Sequence, residues 1–388
     1  MTKRPDTTPL PTDLEAFSSA VVDRVTASGN SWKLPGGEIL LPGVFGFCRG
    51  VKRALAMLDA VVSSPGRSKR LFLLGEIIHN PWVNRYFEDR GVSILSASQL
   101  RDVQQYVRAE DCAIIPAFGV PLAIEKMLTT IGCQIVDTSC GDVRRLWVWA
   151  QRESKGGFGI IIFGRADHDE TVVTKSRLDA AGGKYLVLGS LDKVQRFCEL
   201  IRTANDAADP GEAFGPASTN ASTLEPFLQL AQVSQTTMLY DDTMEVRRLI
   251  EDAFEHRFGS GAAQRLMFQP TVCRATQDRQ AAAVELCRQK LDLAVVVGGF
   301  GSSNTRHLYE LARGYSPAVF IEDAAAIVSD TTLNTMDLAR QTEVTLHDWL
   351  PSRRPLRVGV LAGASSPEIV IGQVLEKLAL FLSKGTAR

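Results

Sequence analysis

From Gly37 onward the chain alternates short apolar runs, each bounded by glycine or proline, with charged stretches of helical spacing. The runs fall at 39–47, 71–74, 113–116, 134–138, 159–163, 185–188, 293–297, 318–321 and 357–361. Runs this short and this uniformly apolar are strands buried on both faces, and strands alternating with helices build parallel sheets covered by helices. The fold class is therefore α/β with mostly parallel sheets. With 388 residues, 45% of them hydrophobic, the chain has ample material for several buried cores, and disorder or a small disulfide scaffold is excluded. A formal net charge of −1 without a lasting block of one sign implies no nucleic-acid or membrane surface. No apolar run reaches the roughly 18 residues of a spanning helix, and the first residues lack the apolar core of a secretory signal, so a cytoplasmic protein is expected.

Some segments interrupt the rhythm. Residues 1–35 read as an N-terminal extension with one short helix, for which Thr12 and Glu15 form a capping-box signature ahead of Leu14, Phe17, Val21 and Val25. Residues 204–223 and 329–354 are polar and turn-rich and read as surface insertions without strands. The expected division is a first unit at 36–140, a second at 141–270 and a third, with a return segment, at 271–388.

The seven cysteines are scattered and contain no CxxC pair, which argues against a disulfide framework. Three share a context: VFGFCRGVKRAL around Cys48, VDTSCGDVRRLW around Cys140 and QPTVCRATQDRQ around Cys273. Each stands where an apolar extended stretch hands over to a basic helical one. Three similar units each offering one thiolate suit an iron–sulfur cluster with one iron left open, although spacing alone leaves a structural zinc site or plain buried thiols equally open. Cys112, Cys133, Cys198 and Cys287 lack that context and read as structural.

Polar turns after the apolar runs supply further candidates: His79 in GEIIHN, His168 and Glu170 in GRADHDE, Thr236 in SQTTM, Ser302, Ser303 and Asn304 in GSSN, and Ser365 in GASSP. Turns at strand ends are where open α/β sheets bind ligands, and helix N-termini there favour phosphate. With the cysteines and in this order, GFCRGVKRA, GEIIHNPWVNRYFEDRGV, HDE, SQTTMLYDDT, VCRATQDRQ, VVGGFGSSNTRHLYELA and LAGASSPEIVI resemble the LytB/IspH family, the iron–sulfur hydroxymethylbutenyl diphosphate reductases.

The resemblance implies a trefoil of three pseudo-symmetric α/β domains around a central [4Fe-4S] cluster held by Cys48, Cys140 and Cys273. It implies Glu170 as the proton-delivering carboxylate, with His168 and Thr236 beside it. His79, Ser302, Ser303, Asn304 and Ser365 match positions that hold the substrate's diphosphate. A ferredoxin or flavodoxin is the implied electron donor. Asp167 and Asp169 are close enough in sequence to raise the Glu170 pKa by repulsion.

Two departures stand out. Phe118, in AFGV, occupies a diphosphate-contacting position where the family has histidine, and SCGDV replaces the family's Thr-Cys-Pro after Cys140. Arg49, Arg165 and Arg274 flank matched positions and are candidates for a replacement charge. The expected activity is reductive dehydroxylation of an allylic diphosphate to isopentenyl and dimethylallyl diphosphate. The alternatives are a different phosphorylated or carboxylated substrate on the same cluster, or a Lewis-acid dehydration.

Overall fold

The structure, a computed structural model, describes residues 14–65 and 68–383. Its strands form three separate sheets and one hairpin. The first sheet runs Val92–Ile94, Leu71–Leu73, Cys112–Ile115, Gln134–Asp137, all parallel. The second runs Leu266–Phe268, Leu230–Ser234, Gly159–Phe163, Tyr185–Leu188, again all parallel. The third runs Ser31–Leu34, Gly37–Leu40, Leu356–Ala362, Leu293–Val297, Ala318–Ile321, and only its first pair is antiparallel. Every residue of Cys112–Ile115, Gly159–Phe163 and Leu293–Val297 is buried, which is why these strands read as unbroken apolar runs.

A handover repeats three times around the molecule. After Gly37–Leu40 in the third sheet, Cys48 caps the helix Arg49–Val62, whose Val51, Leu55 and Leu58 pack on Leu71 and Leu73 of the first sheet. After Gln134–Asp137 in the first sheet, Cys140 opens the helix Gly141–Lys155, whose Val143, Leu146 and Ala150 pack on Ile160 and Ile162 of the second. After Leu266–Phe268 in the second, Cys273 caps Arg274–Cys287, whose Ala283 and Leu286 pack on Ala294 and Val296 of the third. Each of the three cysteines thus marks the step from one sheet to the helix layer of the next.

This arrangement corrects the expected start of the first unit at residue 36. Gly37–Leu40 pairs in register with 356–359, so the third sheet takes its partner from the beginning of the chain. The helix of the extension also begins later than expected. Thr12 lies outside the described residues, and the helix Ala20–Ala27 is capped by Ser19, whose side chain accepts from Val22 N.

Residues 204–223 are not a bare surface insertion, since Phe214 and Ala221 are buried in the second unit's core. Residues 329–354 contain a hairpin of Thr332–Asp337 and Thr342–His347, against the expectation of no strand. Only two inward side chains of the first hairpin strand are buried, Leu333 in the third unit's core and Thr335 on the main chain of Phe320, which is too little apolar pattern to read as a strand. Among the described residues no helix is long and apolar enough to cross a membrane.

Candidate active site

The handover loops bring the three cysteines together by a repeated main-chain bond. Cys48 N–H donates to Ala364 at 3.3 Å, Cys140 N–H to Ala117 at 2.7 Å and Cys273 N–H to Thr236 at 3.0 Å. Each acceptor belongs to the loop after the neighbouring strand of the sheet being left, and those loops carry Ser365, Phe118 and Thr236. A Cβ on Gly50 would stand 2.8 Å from Cys140 Sγ and 3.7 Å from Cys48 Sγ, so two of the sulfurs flank one glycine that leaves them room. Cys48 is near enough to both Cys140 and Cys273 to add a small upward push to their thiols.

All three cysteines are free. Burial pushes the Cys140 thiol up and the Cys273 thiol up to about 11. Thiols like these stay protonated until a metal displaces the proton, while the helix N-termini favour the thiolate that results. Among the described residues no three His, Cys, Asp or Glu side chains converge tightly enough to ligate a single metal ion. The donor set suits a multi-iron group, whose ligand sulfurs stand apart, and the chemistry of three soft sulfurs fits it.

The acid side of the site begins at His168, which caps the helix Asp169–Ala180 by accepting Glu170 N–H on Nδ1 at 3.3 Å. Burial, with the charges of His79 and Arg165, pushes the imidazole down to about 3, so His168 is neutral and carries its proton on Nε2. Glu170, only 3% exposed, accepts Thr236 N–H on one oxygen at 2.7 Å and Thr236 O–H on the other at 2.6 Å. Burial outweighs those two bonds and pushes its carboxyl up to about 7, with a smaller push from Asp142. The repulsion expected from Asp167 and Asp169 is therefore corrected. Asp167 turns to Arg165 at 2.8 Å, Asp169 lies 3.6 Å from His79 Nε2, and dehydration is the dominant cause.

The opposite, polar side is built by the first and third units. Ser302 caps the helix Ser303–Arg313, and its Oγ also accepts from Ser365 Oγ at 3.1 Å. Ser303 Oγ accepts from Gln235 Nε2 at 3.1 Å. A Cβ on Gly299 would sit 2.3 Å from the His79 carbonyl oxygen, so the absent side chain is what lets the serine turn close on His79. His79 Nδ1 faces Glu76 at 2.9 Å, leaving Nε2 toward the site. That Nε2 and both polar atoms of the Asn304 amide are buried and have no hydrogen-bond partner among the described residues. Each such orphan costs about 1–3 kcal/mol, a cost that an anionic or hydroxylated ligand removes.

Phe118 lies flat against His79, with ring centroids 4.7 Å apart and planes 9° from parallel, while His168 meets the same ring edge-on at 5.6 Å. It gives the site an apolar wall and no donor. The three arginines considered as substitutes stand apart from the polar turns or are already paired. Arg165 is paired with Asp167, Arg274 is 83% exposed and paired with Asp278, and Arg49 is exposed. Sequence reasoning missed Glu76 and Gln235, although both lie inside the GEIIHN and SQTTM turns. Gln235 ties the second unit to the third by reaching Thr237 and Ser303 through Nε2 and Arg165 N–H through Oε1.

Fold and site together define a class: a three-unit α/β protein with a three-cysteine centre, a buried acid on one side and an unsatisfied polar cradle on the other. Residues 39–379 match the model of the LytB protein family, and the chain belongs to that family. It is 34% identical over 369 residues to the 4-hydroxy-3-methylbut-2-enyl diphosphate reductase of Gloeothece citriformis, covering 93% of this chain and 89% of that one. The same-named enzyme of Gloeobacter violaceus is 34% identical over 379 residues, covering 94% and 88%. Among solved structures, the Plasmodium falciparum E-1-hydroxy-2-methyl-but-2-enyl-4-diphosphate reductase shares the fold at TM-score 0.63 and 21% identity, covering 88% of this chain and 87% of that one. A structure of (E)-4-hydroxy-3-methyl-but-2-enyl diphosphate reductase, the terminal enzyme of the non-mevalonate pathway, gives 0.52 at 23% identity, covering 88% and 98%.

Proposed function

We propose that the chain is a reductase that removes the allylic hydroxyl of 4-hydroxy-3-methylbut-2-enyl diphosphate, yielding isopentenyl and dimethylallyl diphosphate. The balance is two electrons and two protons taken up and one water released. The observation that carries the reading is the Glu170–Thr236 pair. A carboxyl raised to about 7 is bonded to a threonine whose carbonyl in turn receives the N–H of Cys273, so an acid that works near neutrality stands beside the thiol centre.

Cys48, Cys140 and Cys273 would hold a [4Fe-4S] cluster, which when bound would supply single electrons and Lewis acidity. His79, Ser302, Ser303, Asn304 and Ser365 hold the diphosphate, with Phe118 as the wall against His79. Thr236 orients the hydroxyl; once Glu170 is protonated the hydroxyl bond reverses, Glu170 Oε2–H donating to Thr236 Oγ1, and the proton passes through Thr236 to the oxygen that leaves as water. His168, neutral, keeps the first turn of the Glu170 helix in place. Electrons come from a separate carrier such as a ferredoxin or flavodoxin. Cys273 borders a cleft of about 450 Å³ lined also by Asp142, Trp149 and Gln269, which offers that carrier an approach.

The test is anaerobic turnover of iron-loaded protein with this diphosphate and a one-electron reductant. Turnover lost in Cys273→Ser, and lost with iron retained in Glu170→Gln, supports the reading. A brown protein without turnover shifts it to the second reading, which the His79–Phe118 stack favours: the same centre acting on another phosphorylated or carboxylated molecule. Turnover without added reductant points to dehydration instead.

A further inference from the structure

Arg279 lies on the helix that Cys273 caps and is only 5% exposed. Its Nε and Nη2 donate to the Gly46 carbonyl at 3.1 and 2.6 Å, and its Nη1 donates to the Ala275 carbonyl at 2.8 Å. Gly46 has φ +66 and precedes Cys48 by one residue, Phe47, so this fork joins the loop of one cysteine to the helix of another. The neighbouring carboxylate, Asp278, is shared with Arg274 at 2.7 Å, and its pull on Arg279 is the smallest of three. Burial works against the Arg279 charge, and the groups that favour it are Cys48 and Cys273, then Asp278. A buried guanidinium is costly unless negative charge opposes it, and main-chain carbonyls satisfy its donors without supplying that charge.

We propose that Arg279 is a positioning residue for the sulfur centre: it clasps the Cys48 loop to the Cys273 helix and holds a fixed positive charge beside both sulfurs, favouring the reduced state of the group they carry. This rests on the reading that Cys48, Cys140 and Cys273 hold an iron–sulfur cluster. A one-electron reduction adds one negative charge to that group, and a nearby fixed cation stabilises the product more than the reactant, raising its potential.

The experiment is an anaerobic potentiometric titration of the reconstituted protein with dithionite as electron source, followed by electron paramagnetic resonance and with iron measured in each sample. Wild type, Arg279→Gln and Arg279→Lys are compared. Arg279→Gln should keep its iron and become at least tenfold harder to reduce, a fall of 59 mV or more for one electron. Arg279→Lys should stay within that margin of wild type. Retention of iron by Lys but not by Gln also supports the charge.

Equal potentials in wild type and Gln would overturn the proposal, as would equal loss of iron in Gln and Lys, which would make Arg279 a clasp alone. Should the Gln variant not fold, Lys decides by itself, and a tenfold departure from wild type overturns the proposal. A wild type that takes up no iron defeats the reading of the centre, a failure separate from any difference among the variants.

Discussion

The two sides of the site are finished to different degrees. At Glu170 both carboxylate oxygens are already occupied, by the N–H and O–H of Thr236, and the side chain is enclosed. At Asn304, by contrast, both ends of a buried amide go unanswered, and His79 Nε2 has only the Asp169 carboxylate, at 3.6 Å beyond hydrogen-bond reach. The Glu170 side is complete without a ligand: Thr236 N–H holds one oxygen, and the Thr236 hydroxyl donates to the other in the carboxylate or accepts from it once Glu170 is protonated. The opposite side stores unsatisfied hydrogen-bonding capacity in the ligand-free protein and releases that strain on binding. Among the described residues of that side, the unanswered groups are confined to Asn304 and His79, since Ser302, Ser303 and Ser365 beside them are already bonded.

This contrast can be broken most severely at Glu170. Glu170→Gln should lower turnover by about 10²–10⁴-fold, the range for a lost general acid, with iron content and diphosphate affinity kept. A fall in affinity with turnover intact would reverse the assignment of the two sides. Next comes pH. A carboxyl at about 7 in the fold against 4.5 ordinarily means the folded protein binds the extra proton, so stability is greatest below about 4.5 and declines as pH rises through about 7. Denaturant unfolding of wild type relative to Glu170→Gln should show a loss of about 3 kcal/mol across that window, and turnover should fall above it.

At the holding side, Asn304→Ala should weaken diphosphate binding by about one to two powers of ten while leaving the ligand-free melting temperature unchanged or higher, since no bond is lost. Calorimetry and thermal unfolding of the same sample read both effects. A lowered melting temperature would show that the amide is structural after all. The smallest effect is expected from Phe118→His, a donor gained beside His79, which should tighten diphosphate binding by roughly tenfold. Weakened binding would mean that the apolar wall is what the native substrate meets.

The sequence made the parts of this site readable more readily than their connections. Cys48, Cys140 and Cys273 stood out because a strand-to-helix handover leaves the same local trace each time, and His168 with Glu170 because they share one turn. The reason for the raised Glu170 carboxyl was not readable. Asp167 and Asp169 are near in sequence, yet enclosure by distant segments does the work. The pairing of Gly37–Leu40 with the third sheet was equally hidden, because a parallel strand carries no local mark of its partner. The hairpin at 332–347 escaped for a related reason, as its outward faces are polar and its turn uses Gln341 at φ +53 rather than a glycine.

That early strand has a consequence for how the chain matures. Gly37–Leu40 leaves the ribosome long before the neighbour it must join, Leu356–Ala362. Until then the third sheet lacks its seam, and Cys48 lacks the Ala364 carbonyl that anchors it. Pairing over so long a stretch of chain is slow, because loop closure is paid before contacts reward it. A nascent chain thus sets the Cys48 turn only after Leu356–Ala362 and Ala364 have been made, so the two ends of this seam are joined by the closing of a ring.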